Sequence, residues 1–211
     1  MKFVWGVFVV FLLTLAVGTL PAHSFELQWF GQSAFKITTP GGKVIVIDPF
    51  ITGNPKTPQE HKDLSKIGKV DLILVTHGHG DHVGDAAKLS EMTGAKVGLN
   101  ADLGHTFAIL GWVPAEKLIR FNKSGPIQPL GPGITITMVS AEHSSEVLHT
   151  DPATKKRTLH PGGEPAGYII RLEDGFTLYH AGDTGVFGDM RFIGQYYQPD
   201  LAMLPIAAGT S

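Results

Sequence analysis

Residues 76–85 read THGHGDHVGD, three histidines and two aspartates separated by glycines. Imidazole nitrogen and carboxylate oxygen bind zinc and similar divalent ions at about 2.0–2.2 Å. His77, His79, Asp81 and His82 are therefore candidate metal ligands. A helix is a poor home for Thr76 to Asp81, because Gly78 and Gly80 would each cost about 1 kcal/mol there relative to alanine. A tight turn suits them better. Glycine takes positive φ at little steric cost, so Gly78 and Gly80 are expected to bend the backbone and leave room beside it for an ion. One loop rarely completes a site. His143, in SAEHSS, and Asp183, in HAGDTG, each follow a strand-like run and are expected to return to the same ion. Ser144 and Ser145 are not assigned as nucleophiles, since the histidine nearest them is needed by the metal.

The elements that must position these residues can be read from the periodicity. ELQWFG (26–31), AFKITT (34–39) and KVIVID (43–48) are short β-rich runs, with Pro40-Gly41-Gly42 as a turn, and read as an antiparallel meander. Residues 49–69 are polar and proline-rich, a loop with a short helix near 60–66. VDLILVT (70–76) is a continuous apolar run, the pattern of a strand buried on both faces. A helix is expected over 81–94, stopped by Gly94, then a strand over 96–100 and a helix over 101–111. ITITMVS (134–140) alternates as a strand. Residues 144–165 read as a polar loop over the site, with His149 and His160 free to meet substrate or solvent. GYIIRL (167–172) and FTLYHAG (176–182) flank a hairpin turn. A helix over 188–198 and a strand over 200–206 follow. Strand ends gather the candidate ligands at one edge. His180 is a supporting residue, while His61 and His105 carry no role.

Composition narrows the function. The chain has 211 residues, 43% of them apolar, enough for one core. A net charge of -2 and a single short basic run, Lys155-Lys156-Arg157, leave no footprint for nucleic acid; the run reads as a solvated loop. With no cysteine, any metal is held by nitrogen and oxygen alone. In residues 1–24, Lys2 precedes an apolar run, Pro21 breaks it, and Ala22 and Ser24 are small. That is the layout of a secretory signal peptide cut after Ser24, which makes the mature chain periplasmic or secreted. Left uncut, the run is long enough to anchor the chain in a membrane, its only expected membrane contact.

THGHGDH (76–82) matches the HxHxDH signature of the metallo-β-lactamase superfamily, and AEHSS and HAGDTG fall in the order of its next two motifs. VIDPF (46–50) resembles its early motif. GGEPAGYII and YHAGDTGVFGDM are most similar to the metal-dependent hydrolase branch related to the L-ascorbate-6-phosphate lactonases. The resemblance covers residues 25–206. It implies an α+β fold, a four-layer αββα sandwich with a metal centre at one sheet edge. It also implies roles: His77, His79 and His143 on a first ion, Asp81 and His82 on a second, Asp183 bridging them, and Asp48 in support. The superfamily's final histidine follows a further strand–helix–strand unit. This sequence ends at Ser211, so the domain over 25–211 is expected to lack that unit, and the second ion site to be weak or empty.

The chemistry that follows is hydrolysis by a metal-activated hydroxide, oriented by Asp81, on a small ester, lactone, amide or phosphodiester. One or two divalent ions are expected. Zinc is the first choice, with manganese and iron suited to the same donors. Two other readings stand beside it: a non-catalytic metal-binding protein made so by a missing ligand, and a membrane-anchored interaction domain without metal. Oligomeric state is not legible.

Overall fold

The structure is a computed structural model and describes residues 24–206. The signal peptide expected over 1–24 lies outside the described residues but for Ser24. Among the described residues no helix is long and apolar enough to cross a membrane.

The opening runs form the expected meander. β1 (Glu26–Gly31) pairs with β2 (Ala34–Thr38), and β2 with β3 (Val44–Ile47), all antiparallel. β4 (Leu72–Leu74) then joins β3 in parallel, and β5 (Lys96–Asn100) and β6 (Leu118–Phe121) extend the sheet in parallel. β7 (Thr135–Ser140) begins a second sheet. β8 (Glu146–Thr150) and β9 (Arg157–Pro161) form a separate antiparallel ribbon. β10 (Ala166–Arg171), β11 (Thr177–His180) and β12 (Leu201–Met203) complete the second sheet, in the order β12-β11-β10-β7.

Side-chain alternation turns these sheets into layers. Ile45 and Ile47 of β3 face the second sheet and meet Ile136, Met138, Tyr168 and Ile170. Val44 and Val46 face the other way, toward Leu89 of α2 (Ala86–Thr93) and Leu103 and Phe107 of α3 (Ala101–Ile109). On the far side, Val139, Ile169 and Tyr179 pack on Ile193 of α4 (Asp189–Tyr197). The order of layers is helix, sheet, sheet, helix. Each fully buried Leu, Ile or Phe contributes about 1.5–3 kcal/mol.

Several elements depart from the sequence pattern. The helix expected over 81–94 is broken into α1 (Gly80–Val83) and α2. Gly84 sits between them at φ +29, and a Cβ there would lie 2.7 Å from the Phe50 Cα and the Pro49 carbonyl. The chain must pass that closely to tie the loop after β3 to the histidine motif. Asp85 completes the tie, accepting from the N–H groups of Ile51 and Thr52 and from the Thr52 hydroxyl. The short helix near 60–66 is two 3-10 turns, Gln59–His61 and Leu64–Lys66. β6 gave too short an alternation to stand out. The polar loop expected over 144–165 is largely the β8–β9 ribbon.

Candidate metal centre

Four chain segments meet at one edge. β3 and β4 are parallel, so Asp48 and Thr76–His82 leave the first sheet at the same end. β7 and β11 both pair antiparallel with β10, so they run alike and deliver His143 and Asp183 to one end of the second sheet. Contact between the sheets at this edge is close. Ala166 N–H donates to the Thr76 carbonyl at 3.1 Å. A Cβ on Gly182 (φ +63) would lie 2.7 Å from the Ala166 carbonyl and 3.0 Å from Thr76 Cβ.

Asp48 is the buried hub. It is fully buried, at φ +45, a conformation aspartate tolerates better than most residues. Its carboxylate accepts from Thr76 N–H at 2.8 Å, from the Thr76 hydroxyl at 2.7 Å and from His82 Nδ1 at 2.8 Å. The Thr76 hydroxyl, having given its proton to Asp48, accepts from His77 Nδ1 at 3.1 Å. Both imidazoles are thereby held by their Nδ1 atoms, and both present Nε2 to the site. A partner on one ring nitrogen fixing the role of the other is the usual support for a metal-binding histidine.

His79 is held the other way round. Its Nδ1 faces His77 Nε2 at 3.0 Å, and its Nε2 lies 3.3 Å from Ser144 Oγ and 3.6 Å from Glu146 Oε1. The His143 ring stands 5.1 Å, centre to centre, from those of both His77 and His79. Two donor groups result: His77, His79 and His143; and His77, His82 and Asp183. Within each, the donor atoms all lie within 4.8 Å of one another. Asp183 Oδ2 is 3.4 Å from His82 Nε2 and 3.9 Å from His143 Nε2, so one carboxylate reaches toward both groups. Asp81 belongs to neither; its Oδ2 is 3.9 Å from His82 Nε2 and accepts a long hydrogen bond from Gln32 at 3.4 Å.

Charge in the cluster follows burial and pairing. Burial opposes a charge on His82, yet Asp48 and Asp183 together carry its pKa up to about 10. Burial and the neighbouring His82 charge push His77 down to about 3. The hydrogen bond from His82 holds Asp183 well below the usual carboxylate range. Burial raises Asp48, but the adjacent His82 outweighs it and the carboxyl stays below its ordinary value.

The donors fit a divalent ion. Two nitrogens bound tetrahedrally at zinc distances stand about 3.3 Å apart, close to the 3.0 Å between His77 and His79. Every histidine of the motif already has its outer nitrogen held.

The structure corrects the reading of the glycines. Neither Gly78 nor Gly80 has positive φ. Gly78 is needed because β8 passes over it: a Cβ would lie 2.9 Å from the Glu146 carbonyl. A β-strand, not an ion, fills the space it leaves. Gly80 opens α1, and nothing lies within 4 Å of where its Cβ would be. His149 and His160 lie on the inner, half-buried side of the ribbon rather than free above the site. His149 packs on Trp112 at 5.7 Å and His160 bonds Thr158. His180 supports the site as expected. Its Nε2 donates to the Ser33 carbonyl and its Nδ1 accepts from Gly182 N–H, which sets the turn that carries Asp183. The sequence reading missed Thr76, Ser33, Gln32 and Glu146. Ser33 Oγ donates to Asp183 Oδ1 at 3.2 Å. Only Thr76, beside the motif, offered a signal; the turn between β1 and β2 arrives from far away in the chain.

Comparison with known proteins agrees with this geometry. Residues 43–211 match the model of the beta-lactamase superfamily domain. A UPF0173 metal-dependent hydrolase of Cupriavidus necator is 55% identical over 193 residues, which is 91% of this chain and 67% of that protein. One from a Polaromonas species is 55% identical over 181 residues, 86% of this chain and 66% of that protein. The chain thus spans about two thirds of the length of the curated relatives it matches. Among solved structures, a metallo hydrolase from the hyperthermophilic archaeon Ignicoccus hospitalis superposes with a TM-score of 0.69 at 37% identity, over 88% of this chain and 72% of that one.

Proposed function

The chain belongs to the metallo-β-lactamase superfamily, and we propose that it is a metal-dependent hydrolase of a small ester, lactone, amide or phosphodiester. The observation that carries this reading is the convergence of ring nitrogens from His77, His79 and His143, on two separate segments, within 4.8 Å of one another. His77, His79 and His143 would hold one ion. His82 would hold a second, with Asp183 placed to touch both. Zinc suits these donors, as do manganese and iron. A bound divalent ion supplies an acidified water, with its pKa lowered from about 16 to about 7, and polarises the substrate oxygen.

The chain's own residues do the rest. Asp48 and Thr76 hold His77 and His82 by their Nδ1 atoms and so aim both Nε2 atoms at the site. The proton that His82 shares with Asp183 would have to be displaced for an ion to bind there. Asp81 Oδ2, partly exposed at the rim and steadied by Gln32, is the group placed to orient a water and take its proton. Ser33 and His180 fix the loop of Asp183. The leader-like residues 1–24 support a site of action outside the cytoplasm. A second reading, a metal-binding protein without turnover, draws on the position of Asp81 outside both donor groups.

The deciding experiment loads the chain with zinc and measures bound metal and hydrolysis of a panel of simple esters and lactones, beside a His79→Ala variant. Metal bound by the parent, with turnover lost in the variant, is the expected result. Metal without turnover moves the conclusion to the second reading. Equal turnover in both chains removes the site from the chemistry.

A further inference from the structure

We propose that the outward face of the β8–β9 ribbon recognises the substrate of this site, and that the substrate carries an unbranched apolar chain beside the scissile bond, ending in an anion. The inference rests on the hydrolase reading above and names the class of molecule that site would take.

The ribbon has two unlike faces. Val147 is buried in the core under the first sheet, and His149, Thr158 and His160 are half-buried beside it. Thr106 Oγ1 also donates to the Pro161 carbonyl at 2.6 Å. A two-stranded ribbon is marginal alone, so this inner face is what holds it. The outer face owes nothing to that packing and should be polar. Its centre is instead a cross-strand pair of leucines, Leu148 opposite Leu159, 46% and 70% exposed. Burying such a pair against a ligand is favourable, and leaving it in water is not.

The ribbon is rooted in the metal centre. At its base the Glu146 carboxylate lies 3.6 Å from His79 Nε2, and Gly78 N–H donates to Ser145 Oγ at 3.1 Å. Outward residues then follow in order along one face. The leucine pair stands about 7 Å beyond Glu146, and Arg157, opposite Thr150, about 14 Å beyond it, at the usual strand rise. Lys155 and Lys156 stand exposed at the turn beyond. None of the ion pairs among the described residues engages these three cations. A reacting centre, an apolar step and a cationic end therefore lie on one line. A short anion placed at the metals would not reach Arg157, and an uncharged chain would leave it without a partner.

The test titrates the zinc-loaded chain with decanedioate, decanoate and butanedioate by calorimetry, a binding readout that needs no turnover. Decanedioate is expected to bind roughly tenfold more tightly than either of the others, the gain of burying two exposed leucines and pairing one cation. Leu148→Thr with Leu159→Thr, which keeps strand propensity, should cut its advantage over butanedioate to what the Arg157 pair alone gives. Arg157→Gln should erase its advantage over decanoate. Equal binding of the three, no binding of any, or preferences unchanged by these substitutions would each overturn the proposal. Ester hydrolysis and its loss in His79→Ala are scored separately. A chain that binds decanedioate through the ribbon without turnover sinks the hydrolase reading alone, whereas turnover with no ribbon dependence sinks this one.

Discussion

His82 and His79 aim ring nitrogens at the same small region from opposite kinds of support. His82 is buried, and its outer nitrogen is held by Asp48, which is itself fully buried and accepts two more hydrogen bonds from Thr76. His79 is partly exposed, and its outer nitrogen meets Ser144 and Glu146, both on the segment that opens the ribbon. One half of the centre is built into the core and shares the energetics of folding. The other is built between surface segments. Stability and metal affinity should therefore separate: damage to the first half unfolds the chain, and damage to the second loosens the ion.

The largest effect falls on the hub. Asp48→Ala would leave the buried Thr76 N–H without a partner and His82 without its counter-charge, with only the 3.3 Å contact to the Thr76 hydroxyl on its Nδ1. A cost of about 3–5 kcal/mol is expected from breaking a buried, hydrogen-bonded charge pair. Urea unfolding of the metal-free chain measures it, and a loss under a third of that would show that the buried half is not structural.

The pH dependence of the metal-free chain comes next. His82 is raised from 6.5 to about 10, so its stabilisation is complete below pH 6.5 and is lost as pH rises through 10. His77 is lowered from 6.5 to about 3. The folded chain then resists protonation that the unfolded chain accepts, and stability falls as pH drops from 6.5 toward 3. Chemical unfolding across pH should give a maximum near the ordinary histidine value. His82→Gln should remove the alkaline limb, and His77→Gln should weaken the acid limb, which it shares with His180, also held below its ordinary value by burial. Loss of both limbs in either variant would mean that neither histidine titrates as assigned.

Gly78→Ala pushes a Cβ against the Glu146 backbone, which cannot yield as a side chain would. About 1–3 kcal/mol is expected, as for other overpacked sites, together with weaker zinc binding as β8 backs away from His79. Unfolding and zinc titration on the same sample would show the two losses together. Ser144→Ala sharpens the separation. At an exposed residue it should change stability by no more than about 0.5 kcal/mol, yet lower zinc affinity roughly tenfold through the loss of a partner behind a ligand. A competitive chelator titration checks it. Gly80→Ala is the smallest, near zero or slightly stabilising, because its Cβ meets nothing and α1 gains a better helix former. A large loss there would refute the assignment of the two glycines.

Much of this was legible in the chain. The meander over β1 to β3, the doubly buried strand VDLILVT and the final hairpin carried clear periodicity. The dense motif at 76–82, with His143 and Asp183 at later strand ends, pointed to the side chains that the fold brings together, though Asp81, read as one of them, stands outside both groups. The ribbon escaped because its polarity is inverted: EVLHT and RTLHP alternate, but with leucines outward and histidines inward, so they look like polar loop. The break at Gly84 escaped because it answers to Pro49 and Phe50, contacts that only folding creates.

The sequence alone determined which donor types exist, that sulfur is excluded, and that two sheets present their strand ends to one edge. Those follow from residue chemistry and from local periods of two and 3.6, which need no knowledge of what lies across the fold. Tertiary structure decided which nitrogen of each histidine faces inward, that Asp81 stands apart from both donor groups, and that Ser33 and Glu146 belong to the centre. Each depends on which distant segment arrives within about 3 Å, a hydrogen-bond distance set by packing between the sheets and carried by no local pattern.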